Sequence, residues 1–152
     1  MQPVIISDAS CLILFDNIGV LPILKQLYGS IVKTPEVASE FRNPLPEWLR
    51  IEHRANRHYQ TIIEASLDTG EASNIALAME YDDCPLIIDD LKGGKSAVQL
   101  GLHITGSMGI LIAAKNEGHI QSLKPILQKI KQTNFRISEK LEALILAKAG
   151  EL

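Results

Sequence analysis

Two short runs of aliphatic residues, PVIIS at 3–7 and PLII at 85–88, each end directly before an aspartate. Continuous apolar runs of this length are typical of strands that are buried on both faces of a parallel sheet. Weaker strand patterns lie at 30–34, 59–65 and 103–106. Helical patterns lie between and after these strands, at 9–15, 19–28, 35–42, 46–57, 70–82, 92–100, 107–116, 122–133 and 138–149. The alternation predicts a three-layer α/β domain with helical crossovers.

The pattern changes near the end of the chain, where two helices follow and no further strand is left. Residues 119–152 are therefore predicted to form a C-terminal helical extension of the same domain. With 152 residues, 46% of them hydrophobic, the chain fits one domain over 1–152. No apolar run approaches the roughly 20 residues of a membrane span, and no signal peptide is evident. We expect a soluble, cytoplasmic protein in which Cys11 and Cys84 are small buried residues.

The segment LIIDDLKGGKS at 86–96 permits two opposite interpretations, a phosphate-binding loop or a nest of carboxylates that captures a cation. A phosphate-binding loop needs a glycine five positions before its Gly-Lys-Ser. Asp89 occupies that position, and a carboxylate there would repel the phosphates. The carboxylate interpretation is therefore favoured.

Acidic residues follow both of the clearest strands. Asp8 follows the first, and the pair Asp89 and Asp90 follows the fourth. Ligands of open parallel sheets bind outside the carboxyl ends of the strands, where the strand order reverses, so these side chains are expected to converge. Asp8 and Asp90 are also suited to cap the helices that follow them. One cap does not explain two adjacent acids, and Asp90 is preferred over Asp89 as the site residue.

Two glutamates are further candidates. Glu40 shares a helix face with Glu36, which lies in the first turn where a negative charge is favourable. Glu40 comes a turn later and lacks that structural explanation, so it is favoured as a site residue over the alternative of an ordinary solvated surface glutamate. Glu71 belongs to DTGE at 68–71, which reads as a capping box and gives it a structural role. The small residues that follow it would let its helix pack closely, so a role in the site stays open.

Carboxylates gathered in one crevice repel one another, by about 1 to 4 kcal/mol for a pair at 4 Å. A hard divalent cation, Mg2+ or Mn2+, offsets this repulsion and binds oxygen ligands. Such a cation polarises a phosphoryl oxygen and activates water, so phosphodiester hydrolysis is the expected reaction. Candidate contacts to substrate phosphates are Lys92, Lys95, Thr105 and Ser107, although both lysines also suit an exposed helix face.

Charge is segregated along the chain. Residues 1–90 hold 14 acids and 6 bases, a net charge of -8, and residues 91–152 hold 4 acids and 9 bases, a net charge of +5. A basic C-terminal part is compatible with a nucleic-acid partner, and equally with solvated helix faces.

Five segments together resemble the PIN-domain family, and more narrowly a branch related to VapC-type toxins of prokaryotic toxin-antitoxin systems: IISDASCLILF (5–15), TPEVASEF (34–41), DTGEASNIALA (68–78), LIIDDLKGGKSA (86–97) and ITGSMGILIAAKNEG (104–118). The resemblance implies a five-stranded parallel sheet in the order 3-2-1-4-5 and a ribonuclease that uses Mg2+ or Mn2+. It also implies a homodimer that a small antitoxin blocks, with RNA as the substrate and no membrane partner.

Carried over by position, the catalytic acids are Asp8, Glu40, Glu71 and Asp90, with Asp89 in place of Asp90 if the register differs by one. The expected metal ligands are Asp8, Glu71, Asp89 and Asp90. The leading hypothesis is a metal-dependent endoribonuclease in which activated water leaves 5′-phosphate and 3′-hydroxyl ends.

Two departures from the toxin pattern favour an alternative. Ile88 stands where these toxins commonly carry Thr or Ser, and KGG at 92–94 stands where an aromatic residue often follows. The alternative is a PIN-like module that binds RNA or a protein partner without cutting.

Overall fold

A computed structural model of the protein describes residues 4–40, 46–53, 57–81 and 84–151. The strands are β1 (Val4–Ser7), β2 (Ser30–Lys33), β3 (Leu49–Ile51), β4 (Leu86–Ile87) and β5 (Ile104–Thr105). The helices are α1 (Ala9–Asn17), α2 (Pro22–Tyr28), α3 (Pro35–Glu40), α4 (Arg57–Ile63), α5 (Thr69–Ala78), α6 (Leu91–Gln99), α7 (Ser107–Asn116), α8 (Lys124–Lys131) and α9 (Glu139–Lys148). None of these helices is both long and apolar enough to cross a membrane.

The strands form one sheet in the order β3-β2-β1-β4-β5, and every pairing is parallel. The chain builds outward from β1 to β3 and then returns to the other side of β1 with β4. The order therefore reverses between β1 and β4, where Ser7 pairs with Ile87. This confirms the predicted fold class and places the carboxyl ends of β1 and β4 side by side.

Neighbouring residues of each strand point to opposite faces of the sheet. Because the strands carry apolar side chains on both faces, helices cover both of them. Ile5 belongs to one apolar cluster and Ile6 to the other, and both are fully buried. The first cluster also contains buried residues of the two C-terminal helices, Leu127, Ile130, Ile145 and Leu146. The helical extension predicted after residue 120 thus consists of α8 and α9, which complete the core on that face.

The prediction for the third strand is wrong. Strand β3 is Leu49–Ile51, within a segment predicted as helix (46–57), and the predicted strand 59–65 begins within helix α4. The β-branched residues at 59–65 favour a strand locally, but pairing with β2 decides the outcome, since Leu49 lies opposite Ile31. A buried side chain reinforces this pairing, because the Lys33 ammonium donates to the Leu49 carbonyl at 2.9 Å.

The remaining predicted strands are confirmed within one or two residues. Some predicted ends lie outside the described residues: Pro3 of the first strand, 41–42 and 82 at the ends of two helices, and 54–56 of the misassigned helix.

The position of β3 is testable by paired substitutions. Leu49→Ala removes a side chain that is 5% exposed and should lower the free energy of unfolding by about 2 to 5 kcal/mol. Ile62→Ala removes a side chain that is 71% exposed and should change it by less than about 0.5 kcal/mol. Urea denaturation of both variants measures the difference. A larger loss at Ile62 than at Leu49 would contradict the placement of β3.

Candidate functional site

Asp8 lies directly after β1 and is 6% exposed. Its carboxylate caps helix α1 by accepting the Cys11 amide at 2.9 Å through Oδ1. Its other oxygen, Oδ2, accepts the Asp89 amide at 3.0 Å. The cap and the position at the crevice are therefore compatible, and Asp8 joins the end of β1 to the end of β4.

The two adjacent aspartates after β4 have different partners. Asp90 caps α6, because its Oδ2 accepts the Gly93 amide at 2.7 Å. Asp89 reaches the start of α7, where its two oxygens accept the Ser107 amide at 2.8 Å and the Ser107 hydroxyl at 2.5 Å. Asp89, the less favoured of the pair on sequence, is the one whose charge acts on Asp8. Each member of the pair thus holds a different helix.

Glu40 and Glu71 come close to other acids where two glycines leave room. A Cβ atom on Gly70 would lie 2.6 Å from the Glu40 Oε1 atom and 3.6 Å from the Asp68 Oδ1 atom. A Cβ atom on Gly93 would lie 3.3 Å from the Glu71 Oε2 atom and 3.4 Å from the Asp90 Oδ2 atom. Glycine at both positions therefore lets the carboxylates approach one another over the backbone.

Asp68 is a member of this group that the sequence analysis assigned only to a capping box. It does cap α5, since its Oδ1 accepts the Glu71 amide at 2.8 Å. Among the neighbouring charges, that of Asp68 makes the largest contribution to raising the pKa of Glu40 and of Glu71. The signal in the sequence is its position in DTGE, three residues before Glu71. We refer to the six acids Asp8, Glu40, Asp68, Glu71, Asp89 and Asp90 as the acid cluster.

The electrostatics show that these acids act on one another. Burial, with the charge of Asp89 next, raises the pKa of Asp8 from 3.8 to about 7, although two amide hydrogen bonds oppose the shift. Burial, followed by the charges of Asp68 and Asp90, raises the pKa of Glu71 from 4.5 to about 7. Burial and Asp68 also raise the pKa of Glu40. Burial is the largest cause at all three acids, and the neighbouring charges add a repulsion that a bound cation would relieve.

A buried polar network fixes helix α5 against the strand ends. The Asn74 amide donates to the Ser7 carbonyl at 3.2 Å, and the hydroxyl groups of Thr34 and Ser73 lie 2.7 Å apart. These contacts tie α5 to the chain at the ends of β1 and β2. They hold the first turn of α5, with Glu71, near Asp8.

The four candidate phosphate contacts differ in their surroundings. Lys92 and Lys95 are exposed on α6, and Lys95 lies in the wall of a cavity together with Asp89 and Asp90. Thr105 is half-buried at the end of β5. Ser107 is fully buried and donates to Asp89, so its hydroxyl orients an acid of the cluster.

The donor chemistry of the acid cluster fits a hard divalent cation, because all of its side-chain donors are carboxylate oxygens. Burial, followed by neighbouring charges, raises the pKa of Asp8 and of Glu71. Across the described residues, no three His, Cys, Asp or Glu side chains already lie close enough to share one ion. Binding of a cation would therefore require the carboxylates to draw together.

We predict that the metal-free protein becomes more stable as the pH falls from about 7 towards the ordinary pKa values of Asp8 and Glu71, 3.8 and 4.5. The raised pKa values mean that the folded state binds protons more tightly than the unfolded state, so this stability is lost as the pH rises through about 7. Urea denaturation in chelator across this range measures the effect. Glu71→Gln should make the slope shallower, and an unchanged slope would contradict the prediction.

Glu71→Gln should also separate repulsion from cation binding. In chelator the substitution removes a negative charge that is repelled by the charges of four other acids. It should therefore raise the free energy of unfolding by about 1 kcal/mol, the interaction energy of two unit charges about 4 Å apart in water. In Mn2+ it should show a smaller rise in thermal midpoint than the parent protein, since a ligand that binds only the folded state stabilises it.

The matched control is Glu139→Gln, the same chemical change at an exposed first-turn glutamate of α9. It should leave the Mn2+ response unchanged, and it should not raise the free energy of unfolding, because a negative charge in the first turn of a helix is favourable. An Mn2+ response in Glu71→Gln equal to that of the parent protein would remove Glu71 from the site.

Comparison with known proteins identifies the family of this chain. A family model described as PIN domain matches residues 4–151, nearly the whole chain. Neither the curated proteins nor the solved structures contain a significant match. PIN domains are in general nucleases and typically use divalent metal ions. The match, the sheet order and the acids at the strand ends agree, and the chain belongs to the PIN-domain family.

Proposed function

We propose that the protein is an endoribonuclease that depends on Mg2+ or Mn2+ and cleaves RNA phosphodiesters with water. The observation that carries this proposal is the meeting of acids where the sheet order reverses, since the Asp8 carboxylate accepts the Asp89 amide at 3.0 Å and neighbouring acids raise the pKa of Asp8 and Glu71. Acids under repulsion at that edge suit a metal ion more than they suit an anionic ligand. Membership of the PIN-domain family supports nuclease chemistry in general.

In this proposal the metal ligands are Asp8, Glu71, Asp89 and Asp90. The bound cation supplies charge to stabilise the phosphoryl oxygens and lowers the pKa of water. Asp8 is fixed by two amide hydrogen bonds and Asp89 by two bonds from Ser107, so both hold their oxygens in place. Glu71 accepts no hydrogen bond from the described residues and adjusts its position instead.

Glu40 has a different task, since it lies over Gly70 at the side of the acid cluster. We assign its carboxylate to accept a proton from the attacking water as the oxygen-phosphorus bond forms. The bond to the leaving 3′-oxygen breaks, that oxygen takes up a proton from solvent water, and the products carry 5′-phosphate and 3′-hydroxyl ends. Lys92, Lys95 and Thr105 contact substrate phosphates, and Ser107 contributes by orienting Asp89.

The narrower biological role rests on the sequence resemblance to VapC-type toxins. We propose that the chain folds as one domain, forms a homodimer and is blocked by a small antitoxin protein. A short gene directly upstream whose product forms a complex with this protein would support that role. Its absence would leave a nuclease without a toxin function.

A second candidate function is favoured by one specific observation. Ile88 is 5% exposed and packs beneath α6, where a Cβ atom on Gly93 would lie 2.6 Å from its Cδ1 atom. The site therefore has a core residue at the position where the toxins carry a hydroxyl. A PIN domain that binds RNA or a protein without cutting is the corresponding alternative.

The nuclease proposal predicts that single-stranded RNA is cleaved in Mn2+ and not in chelator. Asp8→Asn and Glu71→Gln should each lower the rate by about 100-fold or more, and Glu139→Gln should retain full activity. A deoxyribose at the cleaved position should not prevent cleavage, because the 2′-hydroxyl is not the nucleophile. Gel analysis of end-labelled RNA measures all of these results.

Two outcomes would contradict the proposal. RNA that is bound but not cleaved in either metal ion would select the alternative function. Full activity in Asp8→Asn would reject the assignment of the site.

A further inference from the structure

A cavity of about 440 Å³ opens beside the acid cluster, between helix α6 and strand β5. Asp89 and Asp90 form the part of its wall that faces the cluster. Much of the remaining lining is aliphatic, contributed by Ile88, Leu91, Val98 and Ile104. We refer to it as the α6 cavity. It is large enough for one nucleoside, since cavities that bind small molecules begin at about 300 Å³.

The aliphatic lining of the α6 cavity includes side chains exposed to solvent. Leu91 is 72% exposed, Val98 57% and Ile104 38%. Large apolar side chains that are exposed together mark binding sites more often than chance, because leaving them in water is unfavourable. The α6 cavity therefore has the character of a binding surface rather than of unfilled core.

Besides Asp89 and Asp90, two further polar side chains lie among these apolar ones. Lys95 and Gln99 both line the α6 cavity and are four residues apart, so they share one face of α6. The α6 cavity thus combines an aliphatic interior, one cationic group, one neutral amide and, on the side of the acid cluster, two carboxylates. A nucleotide matches this set, since a base has apolar faces and a polar edge and is attached to an anionic phosphate. An aliphatic protein segment would match only the interior.

The position of the α6 cavity adds a second reason, which rests on the proposed function. Asp89 and Asp90 belong both to the proposed cation site and to the wall of the α6 cavity. A phosphate at the cation would place the neighbouring nucleoside of the same strand beside that wall. A base that is paired or stacked in a duplex is not free to enter, so the strand must be single there.

We propose that the α6 cavity binds the nucleobase adjacent to the scissile phosphate of single-stranded RNA. Lys95 contacts the backbone phosphate, and Gln99 hydrogen-bonds to the edge of the base. The aliphatic side chains cover the faces of the base. Preference among the four bases would then arise at Gln99, since the lining offers no other neutral amide among the described residues.

The test uses the full chain and a short single-stranded RNA, with a series of versions in which one position at a time lacks its base. In the parent protein, loss of the base at one position next to the cleaved bond should lower kcat/KM by about tenfold. Val98→Phe fills the α6 cavity and should lower kcat/KM for the intact RNA by a similar factor. It should also abolish sensitivity to the missing base, because the two changes remove the same contact.

The matched control is Leu144→Phe, the same type of change at a side chain that is 51% exposed on α9 and outside the cavity lining. It should behave like the parent protein with every RNA. Val98 is also exposed and at the surface of α6, so Val98→Phe should keep the thermal midpoint and the Mn2+ response of the parent protein.

The Glu71→Gln variant should bind RNA without cleaving it, and its RNA affinity is measured by fluorescence anisotropy. This measurement distinguishes failure of the base site from failure of the nuclease function. Affinity that depends on one base and on Val98, without cleavage by the parent protein, would retain the base site and overturn the nuclease. Cleavage that is insensitive to base loss at every position would overturn the base site alone. RNA affinity that is unchanged in Val98→Phe would also overturn it, and would assign the α6 cavity to another occupant such as an apolar protein segment.

Discussion

The arrangement of the site depends on the parallel pairing of β1 with β4. The Asp8 amide donates to the Ile87 carbonyl at 3.1 Å, and the Asp89 amide donates back to the Asp8 carboxylate at 3.0 Å. These two bonds bring together acids that are 81 positions apart in the chain. A different strand order would leave each acid at the end of its own strand with only its helix to cap.

Hydrogen bonds from nearby amides stabilise individual acids of the cluster, whereas the charges of the other acids destabilise them. Asp8, Asp68 and Asp90 each accept an amide at the start of a helix, and Asp89 accepts one from the start of α7. Amides at a helix N-terminus favour negative charge, which offsets part of the cost of burying these carboxylates. The same helix starts therefore allow the fold to keep charges that repel one another, and the remaining repulsion is what a cation would relieve.

For Asp8, Asp68 and Asp90, capping a helix and lying in the acid cluster coincide in this fold. For Asp8 and Asp90 the sequence permitted a cap and a site role together, and for Glu71 the capping box was the stronger structural explanation. Parallel strands all end at one edge, and the helices that follow them begin there, so a residue that caps such a helix also faces the crevice. Asp68 caps α5, which follows helix α4 rather than a strand, so its place in the acid cluster was not expected, although its charge acts on Glu40 and Glu71.

The amino-acid sequence by itself determined the alternation of strands and helices, the helix starts at Asp8, Asp68 and Asp90, and the candidate acids, because these features follow from local pattern and side-chain chemistry. Only the tertiary structure decided that β3 lies at Leu49–Ile51, since a short edge strand is selected by its pairing with β2 rather than by its own residues. It also decided the separate partners of Asp89 and Asp90, and the cavity between α6 and β5, because contacts across distant segments leave no local pattern.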